Sequence, residues 1–196
     1  MLETKDLILD KAKMEDFDDI YNNYWKYEET AKYMLWSPCK NLQEAKERLK
    51  QIIEYQKTNL SFFVYEKATK KAIGMAGMTE IMPNVYEDSG IGIGVSYVGK
   101  GYGRQILNAF LDYLFKTKNA QKIICSCDRN NIPSAKMQQS CGLKYNHTEI
   151  LTRKKNNQTY VCDYYEITKD DYGMLKANKQ NCRQSWRFFT LIFKYC

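Results

Sequence analysis

The chain has 196 residues, 44% of them hydrophobic and 27% charged, with a formal net charge of +7. That length is most simply one domain with an appendage, large enough to bury a core without staples. No apolar run reaches the roughly 18 residues of a membrane-spanning candidate, and the acid-containing start MLETKDLILDKAK does not read as a secretory signal.

Leu7–Leu9 is a short strand candidate. Over Glu15–Trp25, the residues Phe17, Ile20, Tyr21, Tyr24 and Trp25 recur at spacings of three and four, one face of a helix. Glu28–Leu35 predicts a second short helix, ended by Ser37-Pro38. Asn41 is an N-cap with Glu44 three residues on, and Leu42, Ala45, Leu49, Ile52 and Ile53 form the buried face of the helix it opens. Strands follow at Ser61–Glu66, Ala72–Thr79 and Ser89–Tyr97, the last alternating isoleucines with glycines. Gly101–Thr117 is an amphipathic helix buried through Ile106, Leu107, Phe110, Leu111, Leu114 and Phe115. Lys122–Cys127 reads as a buried strand. Asn131-Ile132-Pro133-Ser134 opens a helix that Cys141-Gly142-Leu143 closes, the glycine supplying a left-handed cap. Tyr145–Thr152 and Thr159–Thr168 flank Asn156-Asn157, a hairpin signal. Strands and helices in this mixture predict an α/β or α+β fold with a mixed central sheet.

Seven cysteines without a CxxC pair read as thiols of a reducing cytosol, which places the chain in the cytoplasm. One histidine, His147, and no paired-ligand spacing argue against a metal site. From Tyr172 onward there are five basic residues (Lys176, Lys179, Arg183, Arg187, Lys194), no acid, and interleaved aromatics. The chain therefore divides into a domain over 1–172 and a basic aromatic tail over 173–196. The tail is expected to dock as a helix or strand on the domain or on a second subunit. An irregular, poorly ordered tail is the next choice, and binding of RNA or a membrane surface through it is the disfavoured alternative.

Tyr97-Val-Gly-Lys-Gly-Tyr-Gly-Arg104 stands directly before the amphipathic helix. A helix start carries unpartnered N–H groups and partial positive charge. Gly99, Gly101 and Gly103 let those groups converge on an anion, and Lys100 and Arg104 add charge. The turn suits a pyrophosphate. A mere strand-to-helix turn would need one glycine, not three. The P-loop pattern GxxxxGK[ST] is absent, and the turn comes too late in the chain for a first dinucleotide-binding βαβ unit.

Val98-Gly99-Lys100-Gly101-Tyr102-Gly103 resembles the acetyl-CoA pyrophosphate loop of the GNAT acetyltransferases, [Q/R]-x-x-G-x-[G/A], with Val98 where the family usually has Gln or Arg. Asn131-x-x-Ser134 followed by Gly142-Leu143 is similar to the family's N-x-x-S … G-F element. Lys32–Trp36 and the helix from Asn41 resemble the RimJ/RimL-like branch. The similarity covers about residues 5 to 170. It implies a strongly twisted mixed sheet whose fourth strand, here Ser89–Val95, splays from the fifth, here Lys122–Cys127. Backbone groups of Ile93 and Val95 would then bond a pantetheine arm. Asn131 and Ser134 would lie along that arm, and Lys136 would approach a phosphate.

The implied activity is acetyl transfer from acetyl-CoA to a primary amine, on a small molecule or a peptide α-amino group, by direct attack in a ternary complex. Asp88 is the first candidate for the base, Glu80 the second and Glu87 the third. Each is otherwise an ordinary strand-end carboxylate. Gln138 falls where many relatives carry an acidic Tyr, so Ser134, water, a tyrosine from elsewhere or no dedicated acid serves the thiolate. Trp25, Tyr33, Trp36, Tyr160 and Tyr164 are candidate walls for the acceptor. A non-catalytic acyl-CoA sensor is the alternative. No membrane or nucleic-acid partner is expected, and a homodimer stays open.

Overall fold

A computed structural model describes residues 1–178. Its strands are β1 (Leu2–Glu3), β2 (Leu7–Asp10), β3 (Leu60–Glu66), β4 (Ala72–Met82), β5 (Val85–Ile93), β6 (Lys122–Asp128), β7 (Lys144–Arg153) and β8 (Gln158–Thr168). They form one sheet in the order β1-β2-β3-β4-β5-β6-β8-β7. Among the described residues, only β5 and β6 run parallel. A parallel pair needs a crossover, and α4 (Tyr102–Lys116) supplies it. Further helices are α1 (Phe17–Ile20), α2 (Glu28–Ala31), α3 (Leu42–Gln56) and α5 (Ile132–Ser140). The mixed sheet with flanking helices is the predicted architecture.

Alternation along β3 shows how the sheet divides the interior. Phe62 and Val64 join one core cluster, with Ile106, Leu107, Phe110, Leu111 and Leu114 of α4. Phe63 joins the other, with Ile20, Tyr24, Trp25, Ala45 and Leu49. Each such large apolar side chain contributes roughly 1.5–3 kcal/mol on burial. The caps act as their residue types predict. Asn41 Oδ1 accepts the Glu44 N–H at 2.9 Å, and Asn131 Oδ1 accepts the Ser134 N–H at 3.3 Å. Glu44 in turn accepts from the N–H of Lys40 rather than of Asn41.

The structure corrects four expected elements. The predicted helix over Glu15–Trp25 is a 3-10 turn (Met14–Asp16), then α1, then a π-helical turn (Tyr21–Trp25). The wider π turn sends the adjacent Tyr24 and Trp25 both inward, at 2% and 1% exposure. The helix expected over Glu28–Leu35 stops at Ala31. Leu42 is 54% exposed, because the apolar face of α3 is buried only from Ala45 onward. The strand expected over Ser89–Tyr97 starts earlier, at Val85, and ends at Ile93, so Val95 lies in a 3-10 turn (Val95–Tyr97).

Residues 169–178 are helical. Tyr172 stacks on Phe115 at 4.7 Å and donates to Asp112, which also pairs with Lys176. The other tail cations, Lys179, Arg183, Arg187 and Lys194, and the aromatics from Trp186 on lie outside the described residues.

Candidate functional site

The site begins where two neighbouring strands part. β5 and β6 pair at Val85–Lys122, Tyr86–Ile123 and Glu87–Ile124, and no further. One residue later, Asp88 Oδ1 accepts the Ser126 N–H at 2.8 Å, so a carboxylate takes the place of a main-chain acceptor. Opposite β4, Gly77 pairs with Gly90 but Met78 with Asp88, leaving Ser89 as the extra residue of a bulge. Gly90 has φ +119°, which a side chain would not tolerate. Burial drives the Asp88 pKa up to about 7. The N–H groups of Ser126 and Gly90 oppose that rise, and neighbouring Glu87 adds to it.

A cavity of about 510 Å³ opens at this split. It is lined from one core cluster by Tyr24 and Trp25 and from the other by Cys125 and Cys127, so it crosses the sheet between the separated strands. Asp88, Ser126, Asn131, Ser134 and Gln138 bring its polar groups. Gln138 Nε2 lies 3.3 Å from both Ser126 O and Ser134 Oγ, while its Oε1 is buried without a partner. Burial pushes the Cys127 thiol up to about 11 and also raises Cys125 well above its ordinary value, so neither is a ready nucleophile.

The wall on the α1 side is aromatic. Trp36 meets Tyr24 edge-on at 5.1 Å, and the Tyr33 hydroxyl donates to Asn130 O at 3.1 Å. The Arg48 guanidinium lies 5.8 Å from the Trp25 ring and 5.5 Å from Trp36. Tyr160 completes the wall from β8 and carries Arg153 over its ring at 3.9 Å.

The glycine turn precedes α4 as expected. Gly99 (φ +84°) and Gly101 (φ +75°) are left-handed, and a Cβ on either would meet nothing within 4 Å. Their open sides give an anion access to the main chain. Gly103 differs from the expectation. It sits inside the first turn of α4, where a Cβ would make only an ordinary contact with Met137 Cγ at 3.6 Å. Lys100 is not a loose cation either. Its Nζ pairs with Glu66 Oε1 at 3.1 Å, and the same oxygen accepts the Tyr102 hydroxyl at 2.7 Å. Tyr102, Lys100 and Thr69 together hold the Glu66 carboxyl below its ordinary pKa, against burial. Arg104 Nε donates to Ser140 Oγ at 3.0 Å, tying α4 to α5.

The cavity thus gathers Asp88, Asn131, Ser134, Trp25, Tyr33 and Trp36 from the sequence-predicted residues. The turn residues Val98, Gly99, Lys100, Gly101, Gly103 and Arg104, with Lys136 and Ile93, are not in its lining. The turn is an open surface, and Met137, which does line the cavity, sits between it and the enclosed space. Val95 has left the strand edge, so its groups do not continue that edge. Glu80 lies outside the cavity and accepts the Asn84 N–H at 2.8 Å, because β4 has run three residues past the lining at Gly77. Glu87 is also outside, its pKa raised by burial and by Glu149. Tyr164 leans onto the β7 side, stacked on His147 and donating to Glu149, and Tyr160 lines the cavity instead. Sequence reasoning missed Glu66 and Ser126. Neither carries a local signal, since one is a strand-end acid and the other enters the site through its main-chain N–H and carbonyl.

A family model described as an acetyltransferase (GNAT) domain matches residues 6–144. An uncharacterized N-acetyltransferase, p20, from Bacillus licheniformis is 30% identical over 179 residues, spanning 88% of this chain and 98% of that protein. Among solved structures, an acetyltransferase of the GNAT family from Bacillus anthracis superposes with a TM-score of 0.75 at 19% identity, covering 86% of this chain and 98% of the other. A spermidine N-acetyltransferase from Vibrio cholerae, solved with CoA and spermine, superposes with a TM-score of 0.68 at 23% identity, covering 85% and 98%.

Proposed function

The chain belongs to the GNAT acetyltransferase family, and from that premise we propose that it moves an acetyl group from acetyl-CoA to a primary amine within a ternary complex. The observation that carries the reading is the split between β5 and β6, with a buried carboxyl at its foot and a turn of open, left-handed glycines beyond it. The relative solved with CoA lends support to the donor.

Under this reading, the main-chain amides at Gly99–Gly103 hold the diphosphate of the donor. The unpaired edge of β5 near Ile93 bonds its amide arm as a short strand, with Asn131 and Ser134 alongside. Lys136 and Arg104 face the phosphates. The acceptor enters between Trp25, Tyr33 and Trp36. Its neutral nitrogen attacks the thioester carbonyl carbon, a C–N bond forms and the C–S bond breaks. Asp88, with a pKa near neutrality, takes the proton that the nitrogen loses, directly or through water. The CoA sulfur leaves and takes up a proton from solvent. Assignment to the RimJ/RimL-like branch, with a peptide α-amino group or a small amine as acceptor, is the finer form of the proposal.

Two measurements test it. Acetyl-CoA at a hundredfold excess over its dissociation constant should stabilise the fold by about 2.7 kcal/mol. CoA release should be detected over a panel of polyamines, small amines and peptides with free N-termini. Absence of any thermal shift with acetyl-CoA or CoA overturns the reading. A shift without turnover on every amine reduces the chain to a sensor.

A further inference from the structure

The chain has 16 tyrosines, yet the helix after Asn131 offers the cavity Gln138 rather than a phenol. Two other polar side chains of that segment reach the cavity, Asn131 and Ser134. Asn131 caps α5, and Ser134 Oγ lies within hydrogen-bond reach of Gln138. A phenol does reach the cavity, from the opposite side. Tyr24 projects from the π-helical turn, lines the cavity, and is 2% exposed.

Its position is fixed by glycines that the strand reading left unexplained. A Cβ on Gly92 would collide with the Tyr24 hydroxyl oxygen and meet Met34 Cε at 2.8 Å. A Cβ on Gly94 would collide with Asn23 O, one residue earlier in the same turn. A Cβ on Gly74, across on β4, would strike Gly92 O. The glycines of β4, β5 and the residue after β5 therefore let the π turn lie flat on the sheet. This brings a hydroxyl against β5 beyond Glu87, where β5 no longer pairs with β6. Thr30 Oγ1 donates to the carbonyl of Tyr24 at 2.5 Å and to that of Tyr27 at 2.7 Å, and Trp36 closes on the ring. A phenylalanine would fill this space equally well, so the hydroxyl calls for a reason of its own.

We propose that Tyr24 is a catalytic residue whose hydroxyl donates a hydrogen bond to the carbonyl oxygen of the reacting thioester, stabilising the negative charge that grows there as the amine attacks. This rests on the acyl-transfer reading above. The Tyr24 proton stays on its oxygen throughout. Burial alone raises the pKa of this hydroxyl, which keeps it neutral and a donor over the working range.

Tyr24→Phe tests the role, because it keeps the ring and removes only the oxygen. The expected result is a fall in kcat of roughly 10²-fold, with the thermal shift by CoA and the acid limb of the pH profile unchanged. Gly92→Ala, whose methyl displaces the hydroxyl without deleting it, should lower kcat in the same direction and likewise spare CoA binding. A wild-type enzyme that turns over beside a Tyr24→Phe variant equally fast overturns the role of Tyr24 and leaves the acyl-transfer reading standing. A wild-type chain that binds CoA and never releases it from acetyl-CoA overturns both.

Discussion

The turn ahead of α4 offers main chain to open solvent, whereas the wall made by the π-helical turn and the segment between α2 and α3 offers side chains to an enclosed space. The first is held from behind by Glu66, through Lys100 and Tyr102. The second is held by interlocking rings, with Tyr24 and Trp25 among the most deeply buried side chains. Main-chain recognition is indifferent to most of what surrounds it and suits a ligand part shared by every reaction. Side-chain recognition is specific and suits the part that varies. Asp88 stands between the two, at the split.

The sharpest way to break this contrast is at Gly101. Gly101→Glu puts a charged side chain on the open face of the turn and should abolish stabilisation by acetyl-CoA, about 2.7 kcal/mol at a hundredfold excess over the dissociation constant. The circular dichroism spectrum should be unchanged. An undiminished thermal shift would show that the anion binds elsewhere. Next comes Asp88→Asn, which keeps an acceptor for the Ser126 N–H and removes the titration. Turnover should fall about 10²- to 10⁴-fold, and the acid limb of the rate profile near pH 7 should disappear.

Stability in the same variant carries a separate sign. Asp88 binds its proton more tightly in the folded protein, with a pKa of about 7, than in an unfolded chain, where about 3.9 is usual. The wild type should therefore lose stability as pH rises from about 4 to about 7, and Asp88→Asn should lose less over that interval in denaturant titrations. An identical slope would place the carboxyl in a more solvated setting than its burial indicates.

Smaller effects sharpen the comparison. Glu66→Gln frees Lys100 and weakens the tether on Tyr102, so KM for acetyl-CoA should rise severalfold while kcat holds. Because the Glu66 carboxyl is held below its ordinary value, its contribution is present above the usual carboxylate range and fades as pH falls through the lowered one. Tyr164→Phe, facing β7 and away from the cavity, should leave both kcat and KM within twofold of wild type. A larger loss would bring β7 into the acceptor site.

What the sequence revealed follows the same division. The turn is consecutive, so Gly99, Gly101 and the helix behind them were legible together, and so were the caps Asn41 and Asn131. The aromatic wall is assembled from three distant segments, and its membership depends on geometry that no local pattern carries. Helical periodicity placed Tyr24 and Trp25 on a buried face but could not show a π turn aiming both inward. Composition could not separate Tyr160 from Tyr164, because both lie on the same face of β8 and only the partners His147 and Glu149 draw the second away. The bulge at Ser89 left its trace as glycines, which alternation alone read as a longer strand.

Three residue pairs are all that join β1–β5 to β6–β8 within the sheet. The molecule is in this sense two leaves sewn along a short hem, with Asp88 as the last stitch. A molecule lodged in the opening would act as added thread, so amide exchange should slow on both leaves at once, at Ile91–Ile93 and at Ser126–Asp128, even where nothing touches it directly.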